Sequence, residues 1–493
     1  IMKKLLLSIF TLCYIAIAAS GATKVYINPG HGSWGSNCRP MATINYAVKD
    51  TLGFFESNTN LWKAFALEEK LLARGFAVRM SRRACGGYGT SNNEFNKALS
   101  TICSEATNYG AGYFISIHSN AGPDGSSGSF ANYPIFLYRG KTGSPKVAGS
   151  DKMAKAVIAR HYEIFWASPK SPSSGGGPEP LTAFAASKAK VAGDLTFYNS
   201  SSSYGYLGAL KHNIAGYLTE GYFHTYSPAR HRALSPEWCR QEGIRYFRGV
   251  MDYYGLSGES VGYIMGYIRT KYETLTHTYY IPYPGSNDQY RPINGAKVFL
   301  RDANGNIVKT DCYRHLKRKL TNQDYYTTDH NYNGIFAYEN LKPGTYTITV
   351  KANGYKTYTQ TVTVTANKTI YPEIFLTPGM DEEPVKESRL NPYAYNLSST
   401  LAADSSTITV KFSMNGTASN VKIIFNDGER DYVARSYSNV KPGGYQSTIA
   451  IDTMPTGKAL TWRVDVQGPG LTAPLKSGKE YYFLHPTSVD VDD

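Results

Sequence analysis

The spacing of apolar residues changes character once along this 493-residue chain, at Gly255. Before it, short β-branched or aromatic runs alternate with stretches whose apolar residues return every three or four positions. This pattern predicts strands at 24–28, 76–81, 113–118, 133–138, near 194–199, 207–211 and at 215–220. It predicts helices at about 58–74, 93–107, 147–166 and 235–253. In the first of these helices Leu61, Phe65, Leu67, Leu71 and Leu72 form the apolar stripe, and Ser57-Asn58 offers a cap. Strands interleaved with helices at this spacing imply an α/β fold, an open twisted sheet with helices on both faces.

Beyond Gly255 the helical period disappears. Residues 261–378 read as short strands broken by Gly, Pro and Asn, among them Gly295-Ala-Lys-Val-Phe-Leu, Gly334-Ile-Phe and Pro343-Gly-Thr-Tyr. A charged, proline-containing linker comes next at 379–389, and strand alternation resumes over 390–493, as in Thr407-Ile-Thr-Val-Lys-Phe-Ser. Two all-β, immunoglobulin-like sandwiches therefore succeed the α/β unit, which occupies 23–256.

Three of the α/β strands end on residues that carry chemistry. Lys24–Ile27 stops at Asn28-Pro29-Gly30 and delivers His31; Tyr113–Ile117 runs into His118-Ser119-Asn120; Ala215–Thr219 runs into Glu220. Between the first two, Phe54-Phe55 leads into Glu56 at the mouth of a helix. In open α/β sheets the loops beyond the carboxyl ends of the strands build the site. Two histidines and one glutamate make a ligand set suited to catalytic zinc, because three protein ligands leave a fourth position for water. A second glutamate outside that set can take the water's proton. Taken singly, each histidine is more simply explained as a hydrogen-bonded structural residue; four such residues at strand or helix ends are not.

Asn-Pro-Gly-His-Gly at 28–32, Glu-x-x-x-Asn-Leu at 56–61, Ile-Ser-Ile-His-Ser-Asn-Ala at 115–121 and Glu220 at the end of a late strand resemble, in order, the zinc-dependent N-acetylmuramoyl-L-alanine amidases of the type-3 fold. The resemblance covers about 24–256 and implies a peptidoglycan hydrolase. It puts zinc on His31, Glu56 and His118 and makes Glu220 the catalytic base. The segment 261–378 resembles the carboxypeptidase-regulatory-like β-sandwich and is read as a spacer or wall-contact module; either sandwich would contact cell wall or other envelope proteins. The competing class is a wall-binding or adhesive protein with an inactive amidase-like domain.

Composition narrows the setting. Lys3 and Lys4, an apolar run from Leu5 to Ala19 and small residues through Ala22 read as a secretory signal peptide over 1–22, which directs the chain to the periplasm, cell envelope or extracellular space. No later segment is apolar enough for a stable membrane span. The net charge of +14 is concentrated in 24–256, where 25 basic residues face 15 acidic ones, an excess that draws the domain toward an anionic wall polymer. These basic residues are dispersed, so nucleic acid is not an expected partner. Five cysteines lie beyond the signal, with no Cys-x-x-Cys pair to hold a thiolate metal site; Cys38 and Cys85 could meet at the site rim, or all five could be scattered and unbridged. Trp34 beside His31 is the best candidate for contact with a sugar, whereas most of the 41 tyrosines suit half-buried sheet positions. The loop 168–180, rich in Ser, Gly and Pro, is read as bordering the substrate cleft. His224 is expected to be a surface residue, with a supporting role in catalysis as the alternative.

Overall fold

The computed structural model describes residues 22–484 apart from 33–38, 49, 51–52, 86–94, 123–129, 162–189, 315–317, 329–332, 380–391, 403–405, 428–429, 452–458, 470, 472 and 477–480. Trp34, Cys38, the loop 168–180 and nearly all of the expected signal segment and of the expected linker lie outside the described residues. Among the described residues no helix is long and apolar enough to cross a membrane.

The first unit is built on a six-stranded mixed sheet. Its elements are β1 (Lys24–Pro29), α1 (Glu56–Ala73), β2 (Ala77–Met80), α2 (Leu99–Tyr109), β3 (Tyr113–Asn120) and β4 (Ile135–Tyr138). They continue with α3 (Ser150–His161), β5 (Lys190–Gly193), α4 (Asp194–Phe197), β6 (Gly216–Phe223), α5 (Ser227–Arg232) and α6 (Pro236–Tyr253). The strand order is β2-β1-β3-β6-β4-β5. The first four run parallel, β4 is antiparallel to β6, and β5 is parallel to β4.

Alternation along the strands explains the two covered faces. Val25, Ile27, Tyr113, Ile115 and Ile117 point to one side, where they pack with Leu61, Leu67 and Leu71 of α1, Val157 of α3 and Phe247 and Val250 of α6. Tyr26, Phe114 and Leu218 point to the other, against Ile102 and Ala106 of α2. Each fully buried aliphatic side chain of this kind contributes roughly 1.5–3 kcal/mol. Asn28, buried in β1, donates to Ser116 Oγ at 2.8 Å and accepts from Ser81 Oγ at 2.9 Å, tying the central strands together just below the site.

Several local expectations are corrected. Helix α1 starts at Glu56, with extended Phe55 in the capping position, so Ser57-Asn58 is already inside the first turn. Leu72 is 52 % exposed, off the packed face. The stretch near 194–199 is a short helix, and 207–211 holds a 3-10 turn at Gly208–Leu210, where strands were expected. The cause is Asp194: its buried carboxylate accepts from the backbone N–H of Gly140, Tyr206 and Leu207 and folds the chain back on itself. The edge strand there is instead β5, which the pattern did not predict.

Beyond α6, a long strand β7 (Gly262–Thr274) opens a second unit. One of its sheets joins β7 to Ile335–Leu341, and another joins Lys297–Arg301 to Gly344–Lys351; Ile264, Ile268, Val298, Leu300, Phe336 and Ile348 fill the space between them. A third unit repeats the plan with Thr407–Met414 in one sheet and Ala418–Asn426 and Ala459–Gln467 in the other, around fully buried Trp462. These are the two expected β-sandwiches.

The first two units share a core. Tyr226, Ala229, Trp238 and Cys239 of the α/β unit pack in one cluster with Met265, Tyr267, Ile335 and Tyr371 of the sandwich. Around that cluster Arg232 and Arg269 both bind Asp288 Oδ1, at 2.8 and 2.7 Å, with all three side chains fully buried.

Candidate functional site

Parallel strands β1, β3 and β6 lie side by side, so their carboxyl ends open at one edge. His31 comes two residues after β1, held in the left-handed region at φ 61°. A Pro-Gly turn sends the chain there, and the Gly30 amide is tied back to the Ile117 carbonyl at 2.9 Å. Gly30 is required by space: a methyl group at that position would collide with the His118 ring. Gly32 is required likewise by the Phe95 carbonyl.

His118 sits within β3 and pairs in register with Glu220 of β6. Glu56, at the first position of α1, comes up between the two histidines. Its Oε2 is 3.1 Å from His31 Nε2 and its Oε1 is 3.0 Å from His118 Nδ1. The two imidazoles meet edge to face with centroids 5.0 Å apart. One donor atom from each of the three residues lies within 4.8 Å of the others. Two imidazole nitrogens and a carboxylate oxygen converging on one point, partly open to solvent, fit a divalent ion such as zinc with room for a further ligand.

The electrostatics arise from burial and neighbours. Burial opposes ionisation of Glu56, but His31 and His118 outweigh it and hold the carboxyl well below the usual carboxylate range. Burial pushes His118 down in spite of the Glu56 carboxylate, which favours the ring that can act as a ligand. Glu220 goes the other way: burial first, then the charge of Glu56, raise its carboxyl well above the ordinary range, opposed by Lys63 and Arg39. Its Oε2 is buried with no hydrogen-bond partner among the described residues.

Two supporting residues differ from the sequence reading. His224 is not a surface residue; it is 2 % exposed, stacked on Phe54, with Nδ1 3.0 Å from Ser119 Oγ. The Ser119 amide donates to Glu56 Oε1 at 3.0 Å, so His224 braces the strand that positions the glutamate. Burial, against the pull of Glu56, lowers His224 to about 4 and keeps the ring neutral. Arg82 was missed altogether. Just past β2, it donates to the carbonyls of Pro29 at 3.0 Å, Gly30 at 2.9 Å and Ser57 at 2.7 Å, fastening the His31 turn to the start of α1. Next to Arg83, whose side chain is 63 % exposed, it reads in sequence as half of a solvated basic pair. Only its place after a strand of the same sheet could have singled it out. Cys103 and Cys239 are buried free thiols.

Residues 25–165 match the family model of N-acetylmuramoyl-L-alanine amidase, and residues 286–377 match that of the carboxypeptidase regulatory-like domain. No curated protein matches the chain. Among solved structures it is similar to an N-acetylmuramoyl-L-alanine amidase from Clostridium difficile 630, at 20% identity over 48% of this chain and 100% of that one, with a TM-score of 0.32. It is also similar to the amidase AmiC2 of Nostoc punctiforme, at 18% identity over 48% and 99% of the two chains, TM-score 0.33. A third is Ami1 from Mycobacterium smegmatis, at 18% identity over 48% and 98%, TM-score 0.31.

Proposed function

We propose that this protein is a zinc-dependent N-acetylmuramoyl-L-alanine amidase, exported by its N-terminal signal segment, that hydrolyses peptidoglycan at the amide between N-acetylmuramic acid and L-alanine. The observation that carries the reading is the convergence of His31, Glu56 and His118 donor atoms to within 4.8 Å, beside half-buried Glu220, whose Oε2 is shielded from solvent. The match of residues 25–165 to the amidase family supports the substrate class.

In this reading His31, Glu56 and His118 hold the ion. Bound zinc supplies a Lewis acid for the scissile carbonyl and makes a coordinated water acidic near neutrality. The chain's own part is proton handling and alignment. Glu220 Oε2, which no described residue occupies, accepts the proton of the attacking water and returns it to the departing amine. Glu56, kept as a carboxylate by its two histidines, leaves proton transfer to Glu220. Ser119 and Arg82 fix the Glu56 carboxylate and the His31 turn before substrate arrives.

Metal analysis of the purified chain tests the proposal, together with mass spectrometry of products from purified peptidoglycan. About one zinc per chain, and chelator-sensitive release of peptides with a free N-terminal alanine, is the expected result. Less than about half an equivalent of zinc with no such release would instead favour a wall-binding protein with an inactive domain. His31→Ala, His118→Ala and Glu56→Ala should each lose metal and activity together; full zinc occupancy in one of them removes that residue from the ligand set.

A further inference from the structure

A buried ionic cluster lies directly behind Glu220. Lys63 Nζ of α1 and Glu242 Oε1 of α6 are 2.9 Å apart with side chains 0 % and 1 % exposed. Lys63 also points at the His118 carbonyl at 3.4 Å and lies over the Tyr222 ring at 4.6 Å. The Tyr246 hydroxyl bonds Glu242 Oε1 at 2.5 Å and Thr219 Oγ1 at 3.0 Å. Burial works against the Glu242 carboxylate, yet Lys63 and its other neighbours bring it down to about 2, so the pair is ionic.

The register of β6 shows where the cluster acts. His118 pairs with Glu220, but Asn120 pairs with Phe223, so Gly221 and Tyr222 together face Ser119. That is a β-bulge, one extra residue immediately after Glu220, and bulges re-aim the side chains beside them. The bulge backbone rests on Glu242: a methyl group on Gly221 would run into Glu242 Oε1 and come within 3.1 Å of the Tyr246 hydroxyl. Glu242 and Tyr246 therefore hold β6 on both sides of Glu220, at Thr219 and at Gly221. A buried ion pair is weak evidence for stability, because apolar replacements of similar volume are often neutral or stabilising. Its location needs another reason.

We propose that Glu242, charge-balanced by Lys63 and tied by Tyr246 to Thr219, is a positioning residue that sets the Gly221 bulge and thereby aims the Glu220 carboxyl. The proposal rests on Glu220 being the base, and that is tested separately by Glu220→Gln.

The experiment compares the full chain with Lys63→Met/Glu242→Met, which removes both charges while keeping volume, and with Tyr246→Phe. Zinc content, melting temperature, and kcat and KM on a soluble N-acetylmuramoyl-peptide are measured, with amide exchange over 219–223 in the metal-free protein. In the double variant we expect zinc and melting temperature close to wild type, KM within about three-fold, kcat lowered by roughly ten-fold or more, and faster exchange over 219–223, as for a reacting group displaced by a fraction of an ångström. Tyr246→Phe should lie between the two. A double variant whose kcat stays within about two-fold of wild type overturns the proposal. Parallel loss of zinc overturns it too, since the cluster would then serve the His118 side. If Glu220→Gln itself retains activity, the assignment of the base fails, whatever the double variant does.

Discussion

Replacing Asp288 with Asn tests how the first two units are held together. Asp288 Oδ1 accepts from Arg232 and from Arg269, its Oδ2 accepts from Tyr226 at 2.8 Å, and none of the three charged side chains reaches solvent. The substitution keeps size and most hydrogen bonds but deletes the one negative charge the two guanidinium groups share. Arg269 has a second carboxylate, Glu373. Arg232 has no other ion-pair partner among the described residues, and its Nε and Nη2 make no hydrogen bond there. One orphaned buried cation is thus the appropriate reckoning, and breaking a buried pair this way costs about 3–5 kcal/mol. Denaturant unfolding followed by tryptophan fluorescence should show a loss of this size in the transition that reports on Trp238, 4 % exposed in the shared core. Arg232→Met added to Asp288→Asn should recover much of it, because the orphan is then gone. A loss under about 1 kcal/mol, or no recovery, would refute the argument that the cluster is dry and charge-matched.

Other consequences are as direct. Glu220→Gln should keep zinc while turnover falls by roughly 10²-fold or more; loss of zinc with activity would make Glu220 a ligand. Burial lowers His231 to about 3 and His161 and His212 to about 4, so each stays neutral in the folded chain while its unfolded counterpart, near the ordinary 6.5, takes up a proton. Their contribution is therefore complete above about pH 6.5 and is lost as pH falls toward 4, on the order of 3 kcal/mol for each, so melting temperature should drop steeply over that window. A flat profile from pH 7 to 4 would contradict it. A chain cut after Gly255 should aggregate or melt far below the full chain, since Tyr226, Trp238 and Cys239 would face water; a cooperative, soluble fragment with an unchanged melting temperature would show that the shared core contributes little.

The strands that present the site were legible because they are buried on both faces: Val25 to Ile27 and Phe114 to Ile117 are nearly continuous apolar runs, and the chain beyond each has to turn away in a loop. The site residues were legible for the same reason, as polar groups at the ends of apolar strands. What sequence could not reveal was which charged residues are interior. Arg240, Arg245 and Arg248 recur along α6 as a solvated stripe would, but they meet Glu339, Tyr371 and Thr369 of the sandwich. Lys63 and Glu242 lie far apart in the chain, and nothing local marks them as a pair. Around 194–211 the alternating Leu, Phe and Tyr residues imitate a strand, and only the long-range acceptance of three amides by Asp194 turns the chain.

Helix α6 is buried from Pro236 to Met251 except at Arg240, with one side on the sheet that carries the site and the other on the β-sandwich. This bears on inheritance. A catalytic unit that finishes its own surface can be cut out, duplicated or joined to new companions by recombination at its borders. Here a crossover near residue 256 would separate the helix from Glu339, Tyr371 and Thr369, which bind its arginines, and a foreign sandwich would have to bring its own counterparts of these and of Asp288, which holds Arg232 of α5. Substitutions on the sandwich face of α6 are thus constrained by residues of the neighbouring unit, and the two units are expected to diverge as a pair.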